Sequence, residues 1–388
     1  MDGHLFQFAI LFGVLGLAAV ASIWLRLPVV PLYILAGIAL GGLVAGDEIV
    51  EFLGSLGVAF LLFTLGLDFS LHTQARDPAR FARSGAIDWL FNFPTGLLVG
   101  LALGWTWTEA LFLAGITYMS SSAVVSKCLV DFGRAAHPET ETILNIMVFE
   151  DLVIAVYLLL LNSLVLGSGS GLWGYVGGLA PAALFVAVLI ALAWRFSGPL
   201  GRLLSTRSDE SFGLLLFSFV LLVASAAIAA GLSAEVGAFF AGIVIGATDL
   251  KRRAARALDP FLMLFAALFF VSFGAGIDLG AMGAVALPAV GLVLLGIAAK
   301  IAGGFLAGLS SGHAPAPSAT IGFSLVPKGE FSIVIAALAG SVARPESGIE
   351  TLTAVYVLSL SIVGPVLMRE SPRIWAQGRS LVRRRTRG

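Results

Sequence analysis

Apolar runs long enough to cross a bilayer follow one another almost without pause from Leu5 to Met368. A spanning helix needs about 20 predominantly apolar residues. Thirteen segments meet or approach that length: 5–25, 29–45, 50–69, 82–104, 108–131, 139–165, 172–195, 211–230, 233–249, 258–277, 283–309, 315–340 and 349–368. In hydrocarbon every backbone N–H and C=O must be satisfied within the protein, and continuous apolar runs of this kind do so as helices. The expected fold is therefore an all-α polytopic membrane protein of about 13 transmembrane helices. Only 12% of the residues are charged, about half of what a soluble domain carries. The first run has no basic segment before it and no small-residue cleavage site after it, so it reads as a retained helix rather than a signal peptide.

The charged residues that remain are segregated. Loops after odd-numbered segments, with the C-terminal tail, hold Arg26; Arg76, Arg80 and Arg83; Lys127 and Arg134; Arg195, Arg202 and Arg207; Lys251, Arg252, Arg253 and Arg256; and the stretch from Arg369 to Arg387. The other side holds Arg344 alone, against Asp47, Glu48, Glu51, Glu109, Glu235, Glu346 and Glu350. The positive-inside rule then puts the N-terminus outside and the C-terminus in the cytoplasm, with a bacterial inner membrane as the expected location. The basic end Arg383-Arg384-Arg385-Thr386-Arg387 reads as an orientation signal against anionic lipid, not as a nucleic-acid contact.

Two short patterns recur at nearly one offset. Ala36-Gly37-Ile38 with Gly41 matches Ala241-Gly242-Ile243 with Gly246, and Gly66-Leu67-Asp68 matches Gly276-Ile277-Asp278. The offset corresponds to seven helices. An odd number of crossings makes the two units antiparallel in the membrane, which is the inverted-repeat plan of secondary transporters. The expected organisation is a first six-helix repeat over 1–165, a linker helix over 166–205, a second six-helix repeat over 206–370, and a basic cytoplasmic tail over 371–388.

Corresponding segments of the two halves carry polar residues in mid-span. One is Gly115-Ile116-Thr117-Tyr118-Met119-Ser120-Ser121-Ser122-Ala123, the other Gly322-Phe323-Ser324-Leu325-Val326-Pro327-Lys328-Gly329-Glu330-Phe331. Pro327 removes a backbone donor and clashes with the preceding turn, and Ser or Thr caps freed half-helix ends. Both segments are expected to be discontinuous helices that cross near the midplane. Freed carbonyls and the hydroxyls of Thr117, Ser121 and Ser122 would replace part of a cation's hydration shell.

Glu150-Asp151 sits inside the apolar run 139–165. A charge at that depth costs roughly 3 kcal/mol on insertion scales, so such groups mark ion or proton pathways more often than packing. Lys300, in Gly296-Ile297-Ala298-Ala299-Lys300-Ile301-Ala302-Gly303, is too far from either helix end to snorkel, and Glu150 or Asp151 is its natural partner. Lys328 and Glu330 either neutralise each other or offset the dipoles at the break.

A carboxylate kept from water favours its protonated form, and a cation arriving beside it expels the proton. One carboxylate thus carries a proton or a monovalent cation in turn, and alternating access makes this antiport. There is no Gly-x-x-x-x-Gly-Lys-Ser/Thr run for ATP, so a gradient would drive transport. A gated cation channel using the same site is the alternative, and an enzyme is not expected. The single Cys128 and the scattered His4, His72, His137 and His313 give no basis for a metal cofactor. The cations and protons are substrates.

With these residues in view, the chain resembles the monovalent cation:proton antiporter-2 superfamily, and within it the Kef-type potassium/proton antiporters. The stretches that carry the likeness are Phe60-Leu61-Leu62-Phe63-Thr64-Leu65-Gly66-Leu67-Asp68, Ser120-Ser121-Ser122-Ala123, Phe149-Glu150-Asp151, Ala234-Glu235-Val236-Gly237-Ala238-Phe239-Phe240-Ala241-Gly242, Leu268-Phe269-Phe270-Val271-Ser272-Phe273-Gly274 and Gly329-Glu330-Phe331. The resemblance implies a homodimer. In each protomer a scaffold of helices one to three and eight to ten would hold a moving core of helices four to six and eleven to thirteen. It implies that Asp151 exchanges cation for proton, and that Lys300 pairs with the acidic residue before it. It favours potassium over sodium. Kef-type members typically carry Gln at the position of Glu150, and an ionisable Glu150 paired with Lys300 would permit electrogenic exchange if Lys300 releases a proton. Kef-type members also usually carry a cytoplasmic regulatory domain; here either a separate subunit docking on the cytoplasmic loops would take its role, or there would be no such regulation.

Overall fold

The computed structural model describes residues 2–25, 28–68, 77–167, 208–230, 234–277, 279–280, 282–340, 343–344 and 347–385. All regular structure among them is helical: α1 (Asp2–Leu25), α2 (Val29–Ala39), α3 (Gly41–Val44), α4 (Glu48–Asp68), α5 (Pro78–Ala102), α6 (Trp107–Tyr118), α7 (Ser122–Asp131), α8 (Pro138–Gly167), α9 (Asp209–Ala229), α10 (Ala234–Gly246), α11 (Lys251–Ala275), α12 (Met282–Ser310), α13 (Pro315–Ser324), α14 (Glu330–Gly340) and α15 (Ile349–Arg385). Among the described residues eight stretches are long and apolar enough to cross a membrane, and three shorter apolar helices accompany them. The seventh predicted segment, 172–195, lies outside the described residues.

Local chemistry sets the helix ends. Asp77 caps α5 by accepting the Arg80 N–H at 3.0 Å, with Pro78 in the first turn, where its missing donor costs nothing. Thr106 and Glu109 form a reciprocal capping box at α6. Arg344 donates to the same Glu109 carboxylate at 2.9 Å. The lone basic residue of the acidic side is thus paired. Several predicted boundaries differ from the structure: the helix over 258–277 begins earlier, at Lys251, and that over 82–104 at Pro78. The segment 29–45 is interrupted at Leu40, before the Gly41-Gly42 pair, and resumes as a single turn. The last segment does not end at 368. Its helix runs on to Arg385 through Pro372 and Gly378, because hydropathy marks where an apolar span ends and not where the helical backbone does.

The chain divides into two compact units, each drawn from both predicted halves. One comprises residues 1–36, 75–151 and 277–388, the other 37–74 and 152–276. The division passes through α8 between Asp151 and Leu152. The first unit holds both broken helices. Residues 1–36 fall within it, whereas the resemblance placed helix one with the scaffold.

In the second unit α4 packs on α10 and α11, and α9 packs on α10. Its core is apolar: Phe60, Phe63 and Leu67 of α4 meet Phe212, Leu216 and Val220 of α9 and Ala241 and Ile245 of α10. The α4–α10 crossing is close because Gly66 and Gly242 face each other. A Cβ on Gly66 would strike the Phe239 carbonyl, and one on Gly242 the Phe63 carbonyl. This is small-residue packing of the membrane type. Both glycines belong to the repeated patterns of the sequence.

In the first unit α12 packs against α5, α13 and α15, while α6 packs against α5 and α14. An apolar floor of Val125, Leu129, Ile143, Ile146, Met147, Ile321, Leu325 and Met368 surrounds buried Cys128. The same unit also buries Asp88, Asn92, Glu150, Lys300 and Lys328.

Candidate functional site: two broken helices and a buried charge cluster

The helical ladder stops at Tyr118 and restarts at Ser122, with Met119 and Ser121 extended (ψ 131° and 104°). Ser121 opens α7 by capping the Val124 N–H. The second ladder stops at Ser324 and restarts at Glu330, and Pro327 lies in the gap. The two interruptions bond to each other. The Ser121 N–H donates to the Pro327 carbonyl at 2.9 Å, and Ser120 Oγ lies 2.9 Å from the Leu325 carbonyl. Ser332 Oγ reaches back to the Ile116 carbonyl at 2.9 Å. Gly329 has no side chain because a Cβ there would run into Ser121. The expected pair of discontinuous, crossing helices is present.

Charges at the crossing sort by helix end. Lys328 Nζ donates to the carbonyls of Thr117 and Met119, both at 2.6 Å, with the Tyr118 carbonyl at 3.4 Å. It therefore sits at the electronegative end of α6. Glu330 is the first residue of α14, at its electropositive end, and accepts from the Ser121 hydroxyl at 3.1 Å. Of the two readings of this pair, the geometry favours dipole compensation, since Lys328 spends its donors on backbone carbonyls. The polar atoms of Thr117 have partners within the protein. Its hydroxyl lies 3.1 Å from the Leu113 and Ala114 carbonyls, and its own carbonyl belongs to Lys328.

Beside the crossing lies a buried charge cluster. Lys300 of α12 is 0% exposed and donates to Glu150 Oε1 at 2.7 Å and to Asp88 Oδ2 at 3.0 Å. Glu150, 1% exposed, also accepts the Ser120 N–H at 2.6 Å, and Ser120 Oγ lies 2.9 Å from it. The carboxylate thus ties α8 and α12 to the unwound stretch after α6. Asp88 is held by the side-chain amide of Asn92, one turn on, at 2.9 Å. Both are fully buried on α5. Tyr118 covers the lysine, with its ring centroid 5.4 Å from Nζ. Of the two partners considered for Lys300, Glu150 is the one it meets. Asp151, next on α8, is half-buried where Glu150 is buried. Ser122, at the start of α7, is half-buried as well.

The match to a family model decides the class: the transmembrane sodium/hydrogen exchanger model fits residues 9–369. The chain belongs to the sodium/hydrogen exchanger family. A K(+)/H(+) antiporter subunit of Bacillus subtilis is 34% identical over 97% of this chain and 95% of the relative. An ammonium/H(+) antiporter subunit of Alkalihalophilus pseudofirmus is 29% identical over 96% and 94%. The sodium/proton antiporter MjNhaP1 of Methanocaldococcus jannaschii superposes with a TM-score of 0.72 at 18% identity, covering 96% of this chain and 97% of that one, which establishes the common fold. Membership makes the protein a multi-pass membrane transporter of the cation/proton antiporter class, not an enzyme.

Within this family member, sequence reasoning missed Asp88 and Asn92. The signal was present: two polar residues four apart, on one face of a segment otherwise fit for lipid.

Proposed function

We propose that the protein exchanges a monovalent cation, with potassium favoured over sodium, for protons by alternating access, and that Asp151 is the group that carries each in turn. The observation that supports this most is the contrast between two adjacent carboxylates. Glu150 is buried and committed to Lys300 and Ser120. Asp151 stands one residue away at the same depth of α8 and is half-buried. In this reading Glu150 and Lys300 form the fixed electrostatic frame, Asp151 meets the cargo, and the hydroxyls of Ser121 and Ser122 complete the shell. Lys328 and Glu330 keep the two half-helix ends from collapsing. Cation binding at Asp151 displaces its proton because one negative charge in a poorly hydrated place does not hold two positive ones.

Potassium rests on the Kef-type stretches and on the printed name of the Bacillus subtilis relative. Both quoted relatives are named as subunits, which supports a separate regulatory subunit docking on the cytoplasmic loops. The working unit is a homodimer in the bacterial inner membrane, N-terminus outside, built from two inverted repeats over 1–165 and 206–370. In proteoliposomes, an imposed potassium gradient drives proton movement through the native protein, and Asp151→Asn abolishes it. Unchanged exchange in that variant refutes the assignment.

A further inference from the structure

The end of α6 is built like an ion site. The last carbonyls of a helix have no intrahelical partner and carry the negative end of the dipole. Here three successive ones, from Thr117, Tyr118 and Met119, converge on one point, with oxygens 2.6, 3.4 and 2.6 Å from the Lys328 nitrogen. An ammonium group has three donors and no acceptor, so the number of carbonyls matches the number of N–H bonds. The nitrogen is 0% exposed. Carbonyl oxygens so arranged are what replaces the water shell of a potassium ion in a selectivity filter, and the lysine head is a compact point charge of similar kind to free ammonium.

We propose that the carbonyl oxygens of Thr117, Tyr118 and Met119 form a monovalent-cation site, suited to ammonium or potassium, that the chain keeps filled with the tethered ammonium of Lys328. The site itself stands on the geometry of the crossing. Its consequence for transport rests on the antiport reading above: because the carbonyl cage is occupied, the mobile cation is confined to Asp151, and one cargo ion binds where two would otherwise fit. Lys328 is then the residue that sets the number of bound cations.

The test uses the full-length protein in detergent. Lys328→Met removes the ammonium group and its charge and leaves an apolar side chain one atom shorter, so the carbonyl cage is vacated. Thermal unfolding is followed in choline chloride and, at equal ionic strength, in ammonium, potassium, rubidium or sodium chloride. It is done in the Asp151→Asn background, which removes the cargo site. The single variant Asp151→Asn is expected to show no cation-specific rise in unfolding temperature. The double variant is expected to gain one with ammonium, potassium and rubidium, because a ligand that binds only the folded state raises apparent stability. A double variant with no cation-specific rise overturns the proposal. A rise already present with Asp151→Asn alone counts against the cargo assignment instead, and the cage is then judged by the increment that Lys328→Met adds. If the double variant is not recovered in choline, extraction in ammonium chloride decides: recovery there supports a cage that accepts a free cation, and failure in both salts contradicts it.

Discussion

Both compact units have apolar cores, and among the described residues only the first also buries charged side chains. The second packs Phe60, Phe63, Phe212, Leu216 and Val220 around glycine contacts, an interior that would serve in any helical membrane protein. The first buries Asp88, Asn92, Glu150, Lys300 and Lys328 at 0–1% exposure. Every one of those groups would be costly alone, and an unpaired buried charge is worse than an apolar replacement. The first unit offsets that cost by pairing its charged groups, while Asn92 donates to Asp88 and its own Oδ1 stays without a hydrogen-bond partner. On the proposed mechanism the first unit is the working part and the second its support.

The comparison breaks if the support turns out to set transport. Phe60→Ala is expected to cost about 3–5 kcal/mol of stability, as full burial of a phenyl ring implies, while antiport per folded molecule stays at the native level. Chemical denaturation and flux normalised to folded protein check both halves. A change in cation affinity without loss of stability would erase the distinction between the units.

The working part has its own test. Asp88→Asn leaves Lys300 with Glu150 alone. The expected loss is about 3 kcal/mol, the low end for breaking a buried ion pair, because one carboxylate remains. Unlike Phe60→Ala, this change should lower cation-driven proton flux beyond the loss of folded protein. Native flux per folded molecule would reduce Asp88 to packing.

The smallest effect is at the end of the first unit where α5 and α8 begin. His313 Nε2 lies 2.8 Å from Thr142 Oγ1 and 3.2 Å from the Arg80 guanidinium. Burial, and then the positive charge of Arg80, hold the imidazole below its ordinary pKa of 6.5. The unfolded chain therefore takes up this proton first as pH falls. The stabilisation is complete above 6.5 and is lost as pH drops through the lowered folded value. His313→Gln is expected to flatten that part of the stability profile. An unchanged slope means that the ring titrates as it does in the unfolded chain.

Much of this was legible from sequence, for definite reasons. Hydrocarbon forces helices, so run length alone located twelve of the thirteen expected segments within the described residues. The thirteenth, 172–195, falls outside them. Pro327 and the Ser120-Ser121-Ser122 run marked the breaks because they disrupt or re-cap a ladder locally. The residues alone narrowed the partner of Lys300 to two, since which carboxylate turns inward depends on the rotation of α8, and only the family resemblance pointed to Glu150, which is the one it meets. Asp88 escaped because a single acid near the start of a segment reads like a boundary residue, and only the packing of α5 on α12 brings it to the lysine. The splitting of roles between Lys328 and Glu330 also needed three dimensions, because adjacent residues in an unwound stretch can point to different helix ends.

The most direct test of the central claim is proton release on cation binding by the purified protein in weakly buffered detergent solution, read with a pH-sensitive dye. The account predicts that added potassium releases protons from the native chain in proportion to occupied sites, and that Asp151→Asn releases none. Potassium binding without proton release, or equal release from Asp151→Asn, would contradict it.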